Sequence, residues 1–279
     1  MSTVAEQSRQ IDEALARLDA LSPAVERTEP ATFAGHIILG RVYDFIGRFV
    51  AYPSEHAHVA HTLWIAHCHL MERWDSTPRI AFLSPEPGSG KSRALEVTGP
   101  LVPNPVHAVN TSPAYLFRKV ASPDGAPTIL YDEIDTVFGP KAKENEETRG
   151  LLNAGHRKGA VAGRCVVRGK EVFTEEIPAY AAVALAGLGG LPDTILSRSV
   201  VIRMRRRAPS ERVEPYRARL NEPQGQVIGC ELARWCARVA DRIDWRIFRL
   251  ASRIVMRTCG RRCWRLPMQP TATGRSVRE

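Results

Sequence analysis

The sequence predicts an α/β fold built on a parallel five-stranded sheet, and three observations carry that prediction. Beyond Pro78 lie five short apolar runs: RIAFLS (79–84), VHAVN (106–110), TILYDE (128–133), YAAVALAGL (180–188) and SVVIRMR (199–205). They are near-continuous rather than alternating, as strands buried on both faces of a sheet are. Helical stretches separate them, which favours parallel crossover connections. The first run passes into SPEPGSGKS (84–92) and the third ends in Asp132-Glu133, so glycine-rich and acidic text stands where strands end.

The elements follow in order. Residues 1–30 read as a helix and a Pro-punctuated linker, and 31–77 as a helical region. Within it, 36–50 has helical spacing, and Ser54 is an N-cap for a helix over 55–74. That helix carries histidines at 56, 58, 61, 67 and 69. His58 and His61 share a face, but no carboxylate or third ligand joins them at a ligand spacing, so they read as surface or core residues. The core, 78–209, adds helices over 113–120 and 144–159 and a β-hairpin over 160–176 with Arg168-Gly169-Lys170 at its tip. Residues 210–245 read as a partial helical lid, and 246–279 as a tail of a different character.

Composition narrows the function classes. The chain has 279 residues and a formal net charge of +9. Residues 246–279 hold nine Arg and one acid; residues 1–245 then hold 30 basic and 29 acidic side chains. The body is near neutral, so net charge gives it no nucleic-acid signal. No apolar run reaches the ~18 residues of a membrane span, and the N-terminus lacks a signal-peptide core, so a cytoplasmic protein is expected. The six cysteines match no zinc spacing and read as free thiols.

The chemistry concentrates in SPEPGSGKS. Gly88 and Gly90 let the backbone curl so that successive N–H groups face phosphate oxygens, and the following helix N-terminus adds to the field. The binding surface is therefore Pro87, Gly88, Ser89, Gly90, Lys91 and Ser92. Lys91 reaches the β- and γ-phosphates, and the Ser92 hydroxyl ligates Mg²⁺. The usual opening glycine is here Pro85. Asp132, at the carboxyl edge of the third strand, would hold Mg²⁺ mostly through water; Glu133 would polarise the attacking water, and Asp135 could support either. Hydrolysis also needs positive charge on the γ-phosphate. Arg198, in LPDTILSRSVVIRMRRR (191–207), is the candidate, acting on a neighbouring subunit. The Arg205–Arg207 run reads as a solvated strand exit.

The loop, YDEID and the SRS arginine resemble an AAA-type ATPase core. The text from HTLWIAHCHLMERWDSTPRIAFLSPEPGSGKS through LYDEIDTVFGPKAKENEETRGLLNAGHRKGAVAGR to GLGGLPDTILSRSVVIRMRRR is similar to an uncharacterised ATPase-like family of actinobacterial phages and prophages. That family is sometimes attached to primase or helicase modules, and the likeness covers about 45–245. It implies an AAA-type P-loop NTPase sheet with a helical lid, ATP and Mg²⁺ as ligands, work in phage DNA replication as a motor or loader, and a homo-oligomeric ring. The hairpin is similar in placement to hairpins that ring helicases use on DNA, which makes Arg164, Arg168 and Lys170 candidate phosphate contacts. Two departures stand out: Pro85, and a fourth strand ending in Ala186-Gly187 without the polar sensor residue of that pattern.

The tail reads as frameshifted text. Back-translated with free codon choice and read in another frame, residues 246–279 admit ADVWEALLAVADAA, an amphipathic helix of good formers, where the observed RTCGRRCWRLP (257–267) has no helical period. A slip just after Trp245 would cut the lid short. Val227, Ile228, Leu232, Val239, Ile243 and Trp235 would then lack a packing partner. Two rival readings follow: a nucleotide-dependent switch with little hydrolysis, and a non-functional frameshifted remnant.

Overall fold

In the computed structural model the described residues are 31–109, 111–123, 125–138, 146–168 and 171–242. The chain divides into residues 1–37 and 38–279. Helix α1 spans Ala31–Phe49 and α2 spans Glu55–Cys68. The expected cap forms: Ser54 Oγ accepts from the Ala57 N–H at 3.2 Å. α2 ends six residues short of the expected 74, and Met71–Arg73 continues as a separate 3₁₀ turn. The break comes where His69 swings its Nε2 to the Leu101 carbonyl oxygen, 2.8 Å away.

The protein is α/β with an all-parallel five-stranded sheet. Its strands are β1 (Arg79–Leu83), β2 (Pro105–Ala108), β3 (Thr128–Tyr131), β6 (Ala182–Gly187) and β7 (Ser199–Arg203), in the order β2-β3-β6-β1-β7. β1 pairs parallel with β6 on one side and β7 on the other. All five residues of β1 and all six of β6 are buried, as the continuous apolar runs require. The connections include α3 (Lys91–Thr98), α4 (Pro113–Val120), α5 (Asp135–Phe138), α6 (Glu146–Ala154) and α7 (Asp193–Leu196). α6 stops before the expected 159 because Gly155 lies against the chain after the hairpin; a Cβ there would sit 2.3 Å from the Ala179 carbonyl oxygen.

The hairpin is β4 (Val161–Arg168) with β5 (Glu171–Pro178), antiparallel. Its register sets Arg164 opposite Glu175 and Arg168 opposite Glu171. Residues 161–178 hold three basic and three acidic residues, so the hairpin is electroneutral and its basic candidates have acids across the ladder. Lys170 lies outside the described residues.

Two expectations about the C-terminal region need correction. Residues 211–217 are not helical. They form an irregular strap, with the Glu214 N–H donating to the Arg48 carbonyl oxygen at 2.7 Å and a bidentate Arg48–Glu214 pair at 3.0 and 2.8 Å. Nor does α8 (Ala218–Val239) lack a partner. Ile228, Leu232, Cys236 and Val239 are buried, and the first three join a core with Val42, Phe45 and Trp64. Trp235 packs against that core, while Val227 is 50% exposed. The helices before the sheet supply the cover that sequence reading assigned to missing lid helices. Ile243 and the 246–279 tail lie outside the described residues.

α8 comes close enough to touch backbone. A Cβ on Gly229 would meet the Pro100 carbonyl oxygen at 2.6 Å and Leu101 Cα at 3.2 Å. Gly229→Ala is therefore expected to destabilise by about 1–3 kcal/mol in urea denaturation, the cost of overpacking a filled contact.

Two buried histidines stitch α2 to the core. Thr98 Oγ1 donates to the Ala94 carbonyl oxygen at 2.6 Å, so it must accept from His61 Nε2 at 2.8 Å. His61 Nδ1 then accepts from the Tyr52 hydroxyl at 2.7 Å. His67 Nε2 meets Thr77 Oγ1 at 2.9 Å. Burial pushes both imidazoles from 6.5 down to about 3, so both are neutral in the fold. Above pH 6.5 they bind no proton in either state. As pH falls from 6.5 toward 3 the unfolded chain takes up protons that the fold refuses, and stability drops by about 1.4 kcal/mol per pH unit per histidine. Denaturation from pH 7 to pH 5 should show this slope, and His61→Gln should reduce it by about one proton's worth.

Candidate functional site

The sheet order gathers the chemically useful residues along one edge. All five strands are parallel, so their carboxyl ends share that edge. The glycine loop leaves β1 and the acids leave β3, with β6 between them. Two strand spacings separate the groups by about 10 Å, room for a phosphate chain and a hydrated cation.

The loop takes the curl that its glycines predict. Gly88 has φ +70° and Gly90 has φ +83°, and Gly90 caps α3 in the left-handed region. Pro85 occupies neither left-handed position, so its ring does not oppose the curl. The Lys91 ammonium donates to Ser84 O at 3.3 Å, Glu86 O at 2.9 Å and Ser89 Oγ at 3.0 Å. Burial lowers its pKa, against the opposing pull of Asp135, Asp132 and Glu86. Ser92 is exposed beside it.

The acids divide their work. Asp132 Oδ1 accepts from the Glu133 N–H at 2.9 Å. Glu133 is exposed and has φ +53°, a left-handed conformation unusual for a non-glycine residue and costing about 1–2 kcal/mol. Asp135 faces the exit of β6, where its carboxylate accepts from the Leu188 N–H at 2.6 Å and the Gly189 N–H at 2.8 Å. A Cβ on Gly187 would meet Ile134 Cγ2 at 2.7 Å and Asp135 Oδ2 at 3.0 Å. The glycine that leaves β6 without a polar side chain is thus the one that admits this carboxylate. The signal for this role was Asp135 in YDEID paired with GLGG, readable only once β3 and β6 are known to be neighbours.

Arg198 does not join this edge. It precedes β7 at the amino end of the sheet, about 16 Å of strand away from the loop, and its guanidinium donates to the Asn153 carbonyl oxygen at 2.9 Å. Beside it Arg79 is fully buried, and burial followed by the Arg198 charge brings its pKa down to about 9. Among the described residues neither arginine pairs with an acid. Arg198 therefore has no reach to its own chain's loop. Arg164 and Arg168 lie on β4, apart from the loop in sequence and in a separate two-stranded sheet.

The arginine run is exposed, as expected of a solvated strand exit, and it also borders the glycine loop. The Met204 N–H donates to Leu83 O at 2.8 Å, so the chain leaving β7 runs beside the start of the loop. Arg206 Nε donates to Pro87 O at 3.0 Å. Arg205 and Arg207 line a cleft of about 600 Å³ with Gly88–Arg93, the end of α1 at Phe49–Ala51 and the strap at Val213–Tyr216. The aromatic wall is ordered by a Phe49–Tyr216 edge contact at 5.0 Å and by the Arg93 guanidinium 5.4 Å over the Tyr216 ring. One end of the cleft is cationic and phosphate-sized, and the other is apolar and aromatic.

A family model described as a protein of unknown function, DUF3631, matches residues 203–247. The matched segment opens on the last residue of β7 and takes in the arginine run, the strap and α8. It ends two residues past Trp245. No curated protein is similar enough to the chain to count as a relative. Among the described residues no group of three or more His, Cys, Asp or Glu side chains is arranged to hold a metal, and no helix is long and apolar enough to cross a membrane.

Removing the Asp135 carboxylate should free the β6 exit. Charge-assisted hydrogen bonds are worth about 1.5–3 kcal/mol, so Asp135→Ala is expected to speed amide exchange at Leu188 and Gly189 roughly 10- to 100-fold. Hydrogen exchange read by NMR checks this, with core amides of β1 as the internal control.

Proposed function

We propose that the protein binds ATP with Mg²⁺ and hydrolyses it, as an AAA-type P-loop NTPase working in phage or prophage DNA replication as a motor or loader. One observation carries the reading: Gly88 and Gly90 curl a loop between β1 and α3 into a cleft that also has an aromatic, apolar end. Phosphates fit the first part, through backbone N–H groups, Lys91 and the α3 N-terminus. A base would lie against the wall that Phe49 and Tyr216 form together. ATP over GTP rests on the family likeness, since no carboxylate in the cleft is free to read guanine: Glu214 is held by Arg48.

The residues fit the magnesium ion that such a reaction uses. Mg²⁺ bound with phosphates needs only one or two protein oxygens, with water and phosphate completing the shell. The exposed Ser92 hydroxyl and the part-exposed Asp132 carboxylate are oxygen donors of the right kind. Magnesium, when bound, would neutralise charge on the β- and γ-oxygens. Lys91 would leave its loop carbonyls for the β- and γ-phosphates. Glu133, carried in a strained backbone, would orient and polarise the attacking water. Arg198, remote from its own loop, would serve a neighbouring subunit's γ-phosphate in a homo-oligomeric ring. DNA contact through Arg164, Arg168 and Lys170 is the weakest part of this reading, since the hairpin balances its charge.

A second reading, a nucleotide-dependent switch with slow turnover, is favoured by the Asp135 contacts: the carboxylate occupies the β6 exit where a polar side chain would otherwise meet phosphate. A third, a frameshifted remnant, draws on the place where the family match stops.

Phosphate release with Mg²⁺-ATP, with and without single-stranded DNA, tests the reading. Turnover should be abolished by Lys91→Ala together with binding, whereas Glu133→Gln should keep binding and lose roughly 100-fold or more in rate. ATP binding without turnover would leave the switch; no binding would leave the remnant.

A further inference from the structure

The run Arg205–Arg207 has no role in the scheme above, yet its placement beside the loop is tightly determined. Met204 continues the register of β1, donating its N–H to Leu83 O. Residues 204–208 belong to no helix or strand. Arg206 points outward to the loop's rim, donating to Pro87 O at 3.0 Å with Glu86 Oε2 3.8 Å away. Arg205 and Arg207, but not Arg206, line the cleft.

These two cations differ in their partners. Arg205 makes a bidentate pair with Glu211, at 2.7 and 2.5 Å. The same carboxylate accepts from the Ala208 N–H at 2.6 Å, closing the turn that starts the strap. Arg205 is therefore neutralised and structural. Arg207 has no ion pair or hydrogen bond among the described residues. A guanidinium lining the cleft, its charge uncompensated, beside a loop whose N–H groups also seek an anion, is a site for phosphate oxygens.

We infer that Arg207 is a second phosphate-binding cation of the cleft, acting within its own chain beside Lys91, and that Arg206 and the Arg205–Glu211 pair hold it there. The inference rests on the nucleotide reading of the cleft. It also gives the segment matched by the family model a task, since the run falls at the segment's start.

The test is calorimetric titration of the full chain with a non-hydrolysable ATP analogue and Mg²⁺. Arg207→Gln should raise Kd about 10-fold or more, the loss of a charge-assisted contact. Arg207→Lys should stay within about threefold of wild type, because the charge remains. Both should keep the wild-type melting temperature, since Arg207 is exposed and supports nothing else. Wild-type affinity in Arg207→Gln would overturn the assignment. So would equal loss in the Lys and Gln variants accompanied by lower melting temperatures, which would mark a structural role. Failure of the nucleotide reading itself looks different: no binding by the wild-type chain, or binding that Lys91→Ala leaves unchanged, overturns both.

Discussion

The parallel pairing of β1 between β6 and β7 is the constraint on which the rest depends. It fixes where the chain leaves the sheet at Leu83, and everything functional is measured from that exit. β6 delivers Gly187 beside it, and the Ser84 N–H donates back to the Gly187 carbonyl oxygen at 3.2 Å. β7 delivers Met204 and the arginine run on the other side. A slip of one residue in either pairing would turn Phe82 and Ile202 toward the wrong layer, so burial on both faces enforces the register.

The cleft has a second dependence, on the helices before the sheet. Arg48 at the end of α1 holds the strap through Glu214 and also donates to Gln224 Oε1 in α8 at 3.2 Å. Tyr52, just beyond the Phe49–Ala51 wall, is tied through His61 to Thr98 at the end of α3. The apolar wall and the glycine loop are thus linked at both ends of α3, since Gly90 caps its start. A neutral His61 suits this arrangement: one ring nitrogen donates, the other accepts, and protonation would break the chain at Tyr52.

The fold was largely legible because its evidence is local. Continuous apolar runs, Ser54 as a cap, Pro113 opening a helix and the glycines of PGSGKS each act within a few residues, and each of these features stands in the element expected of it. What escaped reading depended on distant partners. The strap at 211–217 is held by Arg48, more than 160 positions earlier, which pairs with Glu214. The apolar face of α8 is covered by α1 and α2, so its burial could not be read from 210–245 alone. The arginine run is exposed as its text suggests, but nothing in RMRRR tells that Pro87 and Glu86 lie beside it.

The β6 exit bears on the choice between the motor and the switch readings. A polar side chain at the end of that strand would report on the terminal phosphate by contacting it directly. Here the end of β6 is glycine, and the contact is inverted: an acid from the β3 side grips the backbone of Leu188 and Gly189. The same Asp135 is the leading acidic influence on Lys91, so one carboxylate acts both on the loop's cation and on the β6 exit. Anything that draws Lys91 outward toward phosphate removes positive charge from near Asp135 and changes how firmly the exit is held. On the nucleotide reading, phosphate state would pass through these backbone hydrogen bonds instead of a side chain. Such coupling serves a switch as readily as a motor, because it requires only that the lysine move and not that the terminal phosphate be cleaved quickly.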